Sequence, residues 1–266
     1  YKGAIISFSK AIELNPKLTE AYFLRGLCKS DLGDKKGAIN DYNKAIELDP
    51  KTSGAYNNRG GCKAGFGDNY GAINDFNKAI ELNPNYSEAY NNRGKCKSDL
   101  GDNYGAIDDF NKAIELNPNY SMAYYNRGVT KSDLGDKNGA IDDYSKAIEL
   151  DPNYSAAYYN RGICKYGFGD NYGAMNDNSK AIELDPKYPK AYYNRGLCKS
   201  DLGDNYGAIN DYSKAIELDP KFSSAYYNRG FCKAELGDKN GACIDLNKAL
   251  DLGLYQAERA IKELCK

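Results

Sequence analysis

Apolar and small residues recur along the chain at spacings of three and four, with interruptions at regular intervals. Between Ser121 and Tyr154, the stretch AYYNRGVTKSDL and, after a short break, the stretch GAIDDYSKAIEL each gather such residues on one helical face. The pattern predicts two amphipathic helices. Ser121 can cap the first, Gly135 can supply the left-handed residue that ends it, and Asp136 can cap the second. Pro152 then stops the second helix. Pro16, Pro50, Pro84, Pro118, Pro152, Pro186 and Pro220 each follow the last by 34 residues, so the whole chain is a tandem array of this helix pair. One pair cannot bury its apolar face alone, and neighbours must stack on it. The expected fold is all-α, an elongated solenoid of stacked antiparallel helix pairs.

Counted from Thr19, seven full units span 19–52, 53–86, 87–120, 121–154, 155–188, 189–222 and 223–256, read as one continuous solenoid domain. Residues 1–18 look like the second helix of a unit whose first helix is missing, which is read as a fragment or a processed chain. Residues 257–266 close the array: the run YQAERAIKELCK puts Ala, Ile and Leu on one face and charges on the other, as a terminal capping helix should.

Within the unit that starts at Ser121, Tyr124, Gly128, Ala140, Tyr144, Ala147 and Pro152 stand at positions 4, 8, 20, 24, 27 and 32. The unit resembles the tetratricopeptide repeat, which favours those residue types at those places, and the other units repeat the set with few exceptions. Asn178 replaces the aromatic of position 24, and Leu246 and Leu254 replace the aromatic and the proline of the last unit. The resemblance implies a right-handed superhelical α-solenoid whose first helices line a concave groove.

Composition narrows the chemistry. Histidine is absent, which removes the usual general base at neutral pH and the commonest metal ligand. Lys and Arg number 36 against 37 Asp and Glu, so no charge excess attracts nucleic acid or a membrane surface. No apolar run is long enough for a bilayer span. Six of the eight cysteines (Cys28, Cys62, Cys96, Cys164, Cys198, Cys232) fall at position 10, with Thr130 in the seventh slot. Equivalent residues of stacked units lie about 10 Å apart, too far to bridge, so these read as packing thiols in a reducing, cytoplasmic setting. Cys243 and Cys265 are less constrained, and Cys265 is expected to be exposed and reactive. GFGDNYG, at Gly65 to Gly71 and Gly167 to Gly173, lacks the spacing of a phosphate loop. Every candidate catalytic group recurs in each unit, whereas a catalytic site occurs once. No catalytic residue, cofactor or metal site is expected, and the chain reads as a non-enzyme.

Arg stands at position 7 of every full unit and Asp at position 23, and the two ladders match: Arg25 with Asp41, Arg59 with Asp75, Arg93 with Asp109, Arg127 with Asp143, Arg161 with Asp177, Arg195 with Asp211, Arg229 with Asp245. They are expected to form structural ion pairs between helices rather than a ligand-binding ladder.

The resemblance places groove-lining residues at positions 2, 5, 6, 9, 12 and 13. Position 6 is Asn58, Asn92, Asn126, Asn160, Asn194 and Asn228, a column of amides that can hydrogen-bond an extended peptide main chain or a neighbouring repeat. Position 5 becomes Tyr125, Tyr159, Tyr193 and Tyr227 in the later units, and position 9 becomes Val129, Ile163, Leu197 and Phe231, so the C-terminal half reads as the stickier groove. Asp99, Asp133 and Asp201 at position 13 favour a neutral or basic ligand, and isolated Lys95 and Lys190 argue against a clamp for carboxylate tails. The function expected is a scaffold that holds a peptide or helical segment of a partner protein, with no nucleic acid and no membrane as partners. The alternatives are a self-assembling solenoid, associating through the exposed N-terminal helix, or the targeting domain of a larger enzyme.

Overall fold

A computed structural model describes residues 1–265. Among them sixteen helices follow one another with short turns between. Helix α1 (Lys2–Leu14) precedes the seven units. Their first helices are α2 (Thr19–Asp31), α4 (Ser53–Ala64), α6 (Ser87–Asp99), α8 (Ser121–Asp133), α10 (Ser155–Tyr166), α12 (Pro189–Asp201) and α14 (Ser223–Glu235). Their second helices are α3 (Lys35–Leu48), α5 (Asn69–Leu82), α7 (Asn103–Leu116), α9 (Lys137–Leu150), α11 (Asn171–Leu184), α13 (Asn205–Leu218) and α15 (Lys239–Asp251), and α16 (Ala257–Leu264) follows. The chain forms two compact units, Tyr1–Gly135 and the remainder from Asp136. Inside each, a first helix packs on the second helix that follows it and on the second helix before it, and successive first helices also touch. No described helix is long and apolar enough to cross a membrane.

The turn chemistry accounts for the sharp reversals. Gly135 has φ 86°, a left-handed conformation that costs glycine little and other residues more, and it turns the chain out of α8. Asp136 then accepts the backbone N–H of Gly139 at 2.9 Å and caps α9. The same cap recurs at Asp34, Asp68, Asp102, Asp170, Asp204 and Asp238. Ser121 does not cap α8: it is already the first helical residue, Tyr120 precedes it, and no side chain accepts a bond there. The tight turn after Pro118 leaves no room for an extended capping residue, and the backbone N–H of Ser121 and Ala123 bond instead to the carbonyls of Asn119 and Tyr120.

The core is built from alanines and, in most units, one ring. Positions 3, 20 and 27 hold buried alanines, such as Ala55, Ala72 and Ala79, which let helix backbones approach closely. Into that space five of the seven units insert an aromatic ring at position 24, namely Tyr42, Phe76, Phe110, Tyr144 and Tyr212, and the last unit inserts Leu246. Gly26 and Gly196 make room for the ring: a Cβ on Gly196 would lie 2.6 Å from the Tyr212 ring. Burying each ring contributes about 1.5 to 3 kcal/mol.

Asn178 breaks the series. It is fully buried, its amide donates to the Ala174 carbonyl at 2.8 Å, and its Oδ1 has no partner among the described residues. An unsatisfied buried acceptor costs about 1 to 3 kcal/mol. Asn178→Phe, which restores the ring found in neighbouring units, is expected to raise the thermal midpoint. A lower midpoint would show that α10 and α11 have closed onto the smaller side chain.

The position-10 cysteines are free thiols, five buried and Cys28 half-buried. Burial, with Asp99 or Asp201 nearby, pushes the Cys96 and Cys198 thiols up to about 11, so they stay protonated and inert. The expectation of a reactive Cys265 is overturned. Its sulfur is bonded to Cys243, because α16 folds back along α15 and brings their Cα atoms to 5.7 Å.

Candidate functional site

Six of the seven arginines of position 7 lie at a junction of three helices. Arg93 donates Nε and Nη2 to the two oxygens of Asp109 on the partner helix, while its Nη1 donates to Asn77 on the second helix of the preceding unit at 2.7 Å. Its guanidinium also lies 5.4 Å from the Tyr90 ring centre. Lys97, one turn along, adds a second cation to Asp109 at 2.8 Å. The same forked bond joins Arg25 to Asp41, Arg59 to Asp75, Arg161 to Asp177, Arg195 to Asp211 and Arg229 to Asp245. Arg127 and Asp143 are engaged as well, and Arg127 reaches Asn111 at 2.6 Å. The ladders therefore tie helices together and leave the arginines little capacity for a ligand. Sequence reasoning missed the lysine of position 11 and the Asn or Ser of position 25. The invariance of the lysine and the restriction of position 25 to Asn or Ser were the available signal.

The first helices line one face in each compact unit, and the asparagines of position 6 sit on it. For three of them one amide N–H reaches position 5 of the unit before: Asn92 bonds Asn57 at 3.2 Å, Asn126 bonds Asn91 at 3.0 Å, and Asn228 bonds the Tyr193 hydroxyl at 2.8 Å. Asn194 likewise bonds the Tyr159 hydroxyl, and Asn58 accepts from Asn57 within its own unit at 3.1 Å. An amide has two N–H donors and a carbonyl with two lone pairs, so this tether orients the group and leaves capacity for a ligand.

Position 5 decides the shape of that face. In the C-terminal unit, Tyr159 stacks on Tyr188 at 4.7 Å and Tyr193 on Phe222 at 4.8 Å, so the rings fill the space between repeats. Burial holds both phenols above their ordinary range, and they remain hydrogen-bonding hydroxyls. Tyr227 packs edge-on against Phe231 at 4.8 Å, and Tyr125 and Asn160 also have contacts. In the N-terminal unit the smaller Asn57 and Asn91 are buried at this position, and three recesses open along the face, the first lined in part by Asn57. The first, of about 230 Å³, includes Asp31, Lys35, Asn58 and Gly61 in its lining, with the buried Tyr42 hydroxyl, unpartnered among the described residues, in its wall. The second, of about 300 Å³, lies between Gly61, Gly65, Phe76 and Lys95, and the third, of about 160 Å³, between Lys95, Phe110, Asn126 and Asp133. Among the sequence-selected apolar residues, Ile163 and Phe231 are exposed while Val129 and Leu197 are half-buried. Asp99 pairs with Lys95 at 3.3 Å, and Asp201 accepts from the Tyr166 hydroxyl at 2.8 Å. No cluster of three or more metal-ligating side chains occurs among the described residues.

This face of paired helices, repeating every 34 residues, matches a known family. A tetratricopeptide repeat profile matches 19–52, 87–120, 121–154 and 189–222, and two related repeat profiles match 67–96 and 212–244. The chain is a tetratricopeptide repeat protein. Among solved structures it is similar to MamA, at 31% identity over 62% of this chain and 96% of that one, with a TM-score of 0.58. It is also similar to YrrB, titled a tetratricopeptide repeat protein with an unusual peptide-binding site, at 26% identity over 69% of this chain and 95% of that one, with a TM-score of 0.54. PilF of Pseudomonas aeruginosa shares the fold, with a TM-score of 0.72 over 82% of this chain and 97% of its own, at 17% identity. No curated protein matches the sequence. Tetratricopeptide repeats are a class that typically mediates protein–protein interactions.

Proposed function

We propose that this tetratricopeptide repeat protein is a non-catalytic scaffold that holds an extended or helical segment of a partner protein on the face lined by its first helices. The observation that carries this reading is the row of three recesses in the N-terminal unit, in register with the repeats and flanked by oriented asparagine amides. Such an array offers side-chain recesses at the repeat spacing and main-chain hydrogen bonds between them. Asp31, Asp99 and Asp133 against Lys35 and Lys95 favour a neutral or basic segment. The YrrB likeness supports a peptide ligand.

Gly61 gives a clean test. A Cβ there would meet nothing within 4 Å, and other repeats hold Val, Ile or Leu at this position, so Gly61→Leu keeps the fold while filling two adjoining recesses. Peptides selected from a displayed random library on the whole chain are expected to bind Gly61→Leu at least tenfold more weakly. Binding of all selected peptides at undiminished affinity would remove the groove from the function.

A further inference from the structure

The turns between first and second helices carry a second pattern, at the rim of the face lined by the first helices, and its exposed aromatics line none of the three recesses. Four units end this turn in Asp-Asn-Tyr, and their Tyr70, Tyr104, Tyr172 and Tyr206 are 73%, 77%, 66% and 72% exposed. The other three place Lys35-Lys36, Lys137-Asn138 and Lys239-Asn240 in the same two slots. The variation is ordered: Lys35, Phe66 and Tyr70 recur as Lys137, Phe168 and Tyr172 three repeats later. The chain thus carries the same patch twice, once in each compact unit.

Each patch spans two successive turns. The first presents Phe66 and Tyr70, then Leu100 and Tyr104, and the second presents their counterparts three repeats on, all exposed. Helix geometry does not require these rings. Each tyrosine is the second residue of its helix, and Asn138 and Asn240 hold that place with the same aspartate cap. None of the four makes a hydrogen bond or ring contact among the described residues. An exposed aromatic set that the fold does not use marks an interaction surface.

Charge decides what fits it. The first patch carries Asp68, Asp99 and Asp102 and the second carries Asp170, Asp201 and Asp204, with no cation in the turns themselves. Lys95 pairs with Asp99, Lys63, Lys97, Lys165 and Lys199 pair with the buried aspartates of position 23, and Lys35 Nζ and Lys137 Nζ lie against Gly65 and Gly167 at one border of each patch. The capping aspartates use Oδ1 for the backbone, and their Oδ2 lies over the glycine of position 19. Inside the molecule the same two residue types already hold a guanidinium: Arg59 lies 5.4 Å from the Tyr56 ring centre while its N–H groups fork onto Asp75. We infer that the two patches are a pair of equivalent docking sites for an arginine-bearing linear segment of a partner protein, each taking guanidinium groups on the tyrosine faces beside the capping carboxylates.

The test is calorimetric titration of the whole chain with the peptide acetyl-Arg-Gly-Arg-Gly-Arg-amide at physiological salt. The expected stoichiometry is two peptides per chain, falling to one for Tyr70→Asn/Tyr104→Asn. With all four tyrosines changed to Asn, binding should weaken at least tenfold. These substitutions leave net charge unchanged and use the residue native to two other repeats, and circular dichroism checks that helicity is retained. Gly61→Leu should bind like the parent chain, whatever its effect on the groove. Unchanged binding by the four-tyrosine variant would reduce the effect to general attraction by an acidic surface and overturn the proposal. So would a stoichiometry unaffected by the double variant, or loss of the peptide from Gly61→Leu.

Discussion

Arg93→Ala is expected to destabilise the N-terminal unit by about 3 to 5 kcal/mol, the range for removing one partner of a buried ion pair. Asp109 is buried and keeps only Lys97 as a cation, so its desolvated charge is left half-compensated. Three further contacts go with the guanidinium: the second arm of the fork, the bond to Asn77, and the stacking over Tyr90. Arg93→Lys should recover little of the loss, because a single ammonium cannot span both carboxylate oxygens and reach Asn77. The matched control is Lys112→Ala, which removes an exposed pair with Glu115 on the same stretch of chain and should cost about 0.5 kcal/mol or less. Urea unfolding followed by circular dichroism reads both. Equal losses for the two variants would show that the junction is not the buried anchor its geometry describes.

Removing the Cys243–Cys265 bond is expected to cost about 3 kcal/mol, from the loop-closure entropy of the segment it closes. The effect should be local. Helix α16 is a short helix whose Ala257 and Ala260 are buried against α15, and a helix of that length does not persist on its own. Cys243→Ser/Cys265→Ser should therefore lose amide-exchange protection in α16 while the N-terminal unit keeps its own. A reductant should give the parent chain the same exchange pattern, and the six packing cysteines should not contribute, since they form no disulfide. Unchanged protection of α16 in the double variant would mean that apolar packing alone holds the cap.

Much of the fold was legible because its determinants are local and repeated. Gly135 and Asp136 mark a helix end and a helix start through their own backbone chemistry, and the 34-residue spacing of the prolines defines the unit. The pairing of Arg93 with Asp109 could be anticipated because both ladders recur in step. The reading erred where identity alone was used. Ser121 has the chemistry of a cap but not the backbone position, and Cys265 resembles a free terminal thiol only until α16 is folded back.

By itself, then, the sequence determined the helix pairs, their turns, the alanine-and-ring core and the tetratricopeptide repeat family, because short-range periodicity and backbone preference act within a few residues. Only the tertiary structure decided what the asparagine column and the tyrosine strip touch. Asn92 meets Asn57, and Asn228 meets Tyr193, across 35 residues of chain. Those contacts exist only once neighbouring repeats are packed. Packing also decided that the bulkier tyrosines of the C-terminal unit fill the space between repeats, while the smaller asparagines of the N-terminal unit leave it open. Side-chain volume is written in the sequence, but whether that volume projects toward solvent or closes a gap depends on where the next helix lies.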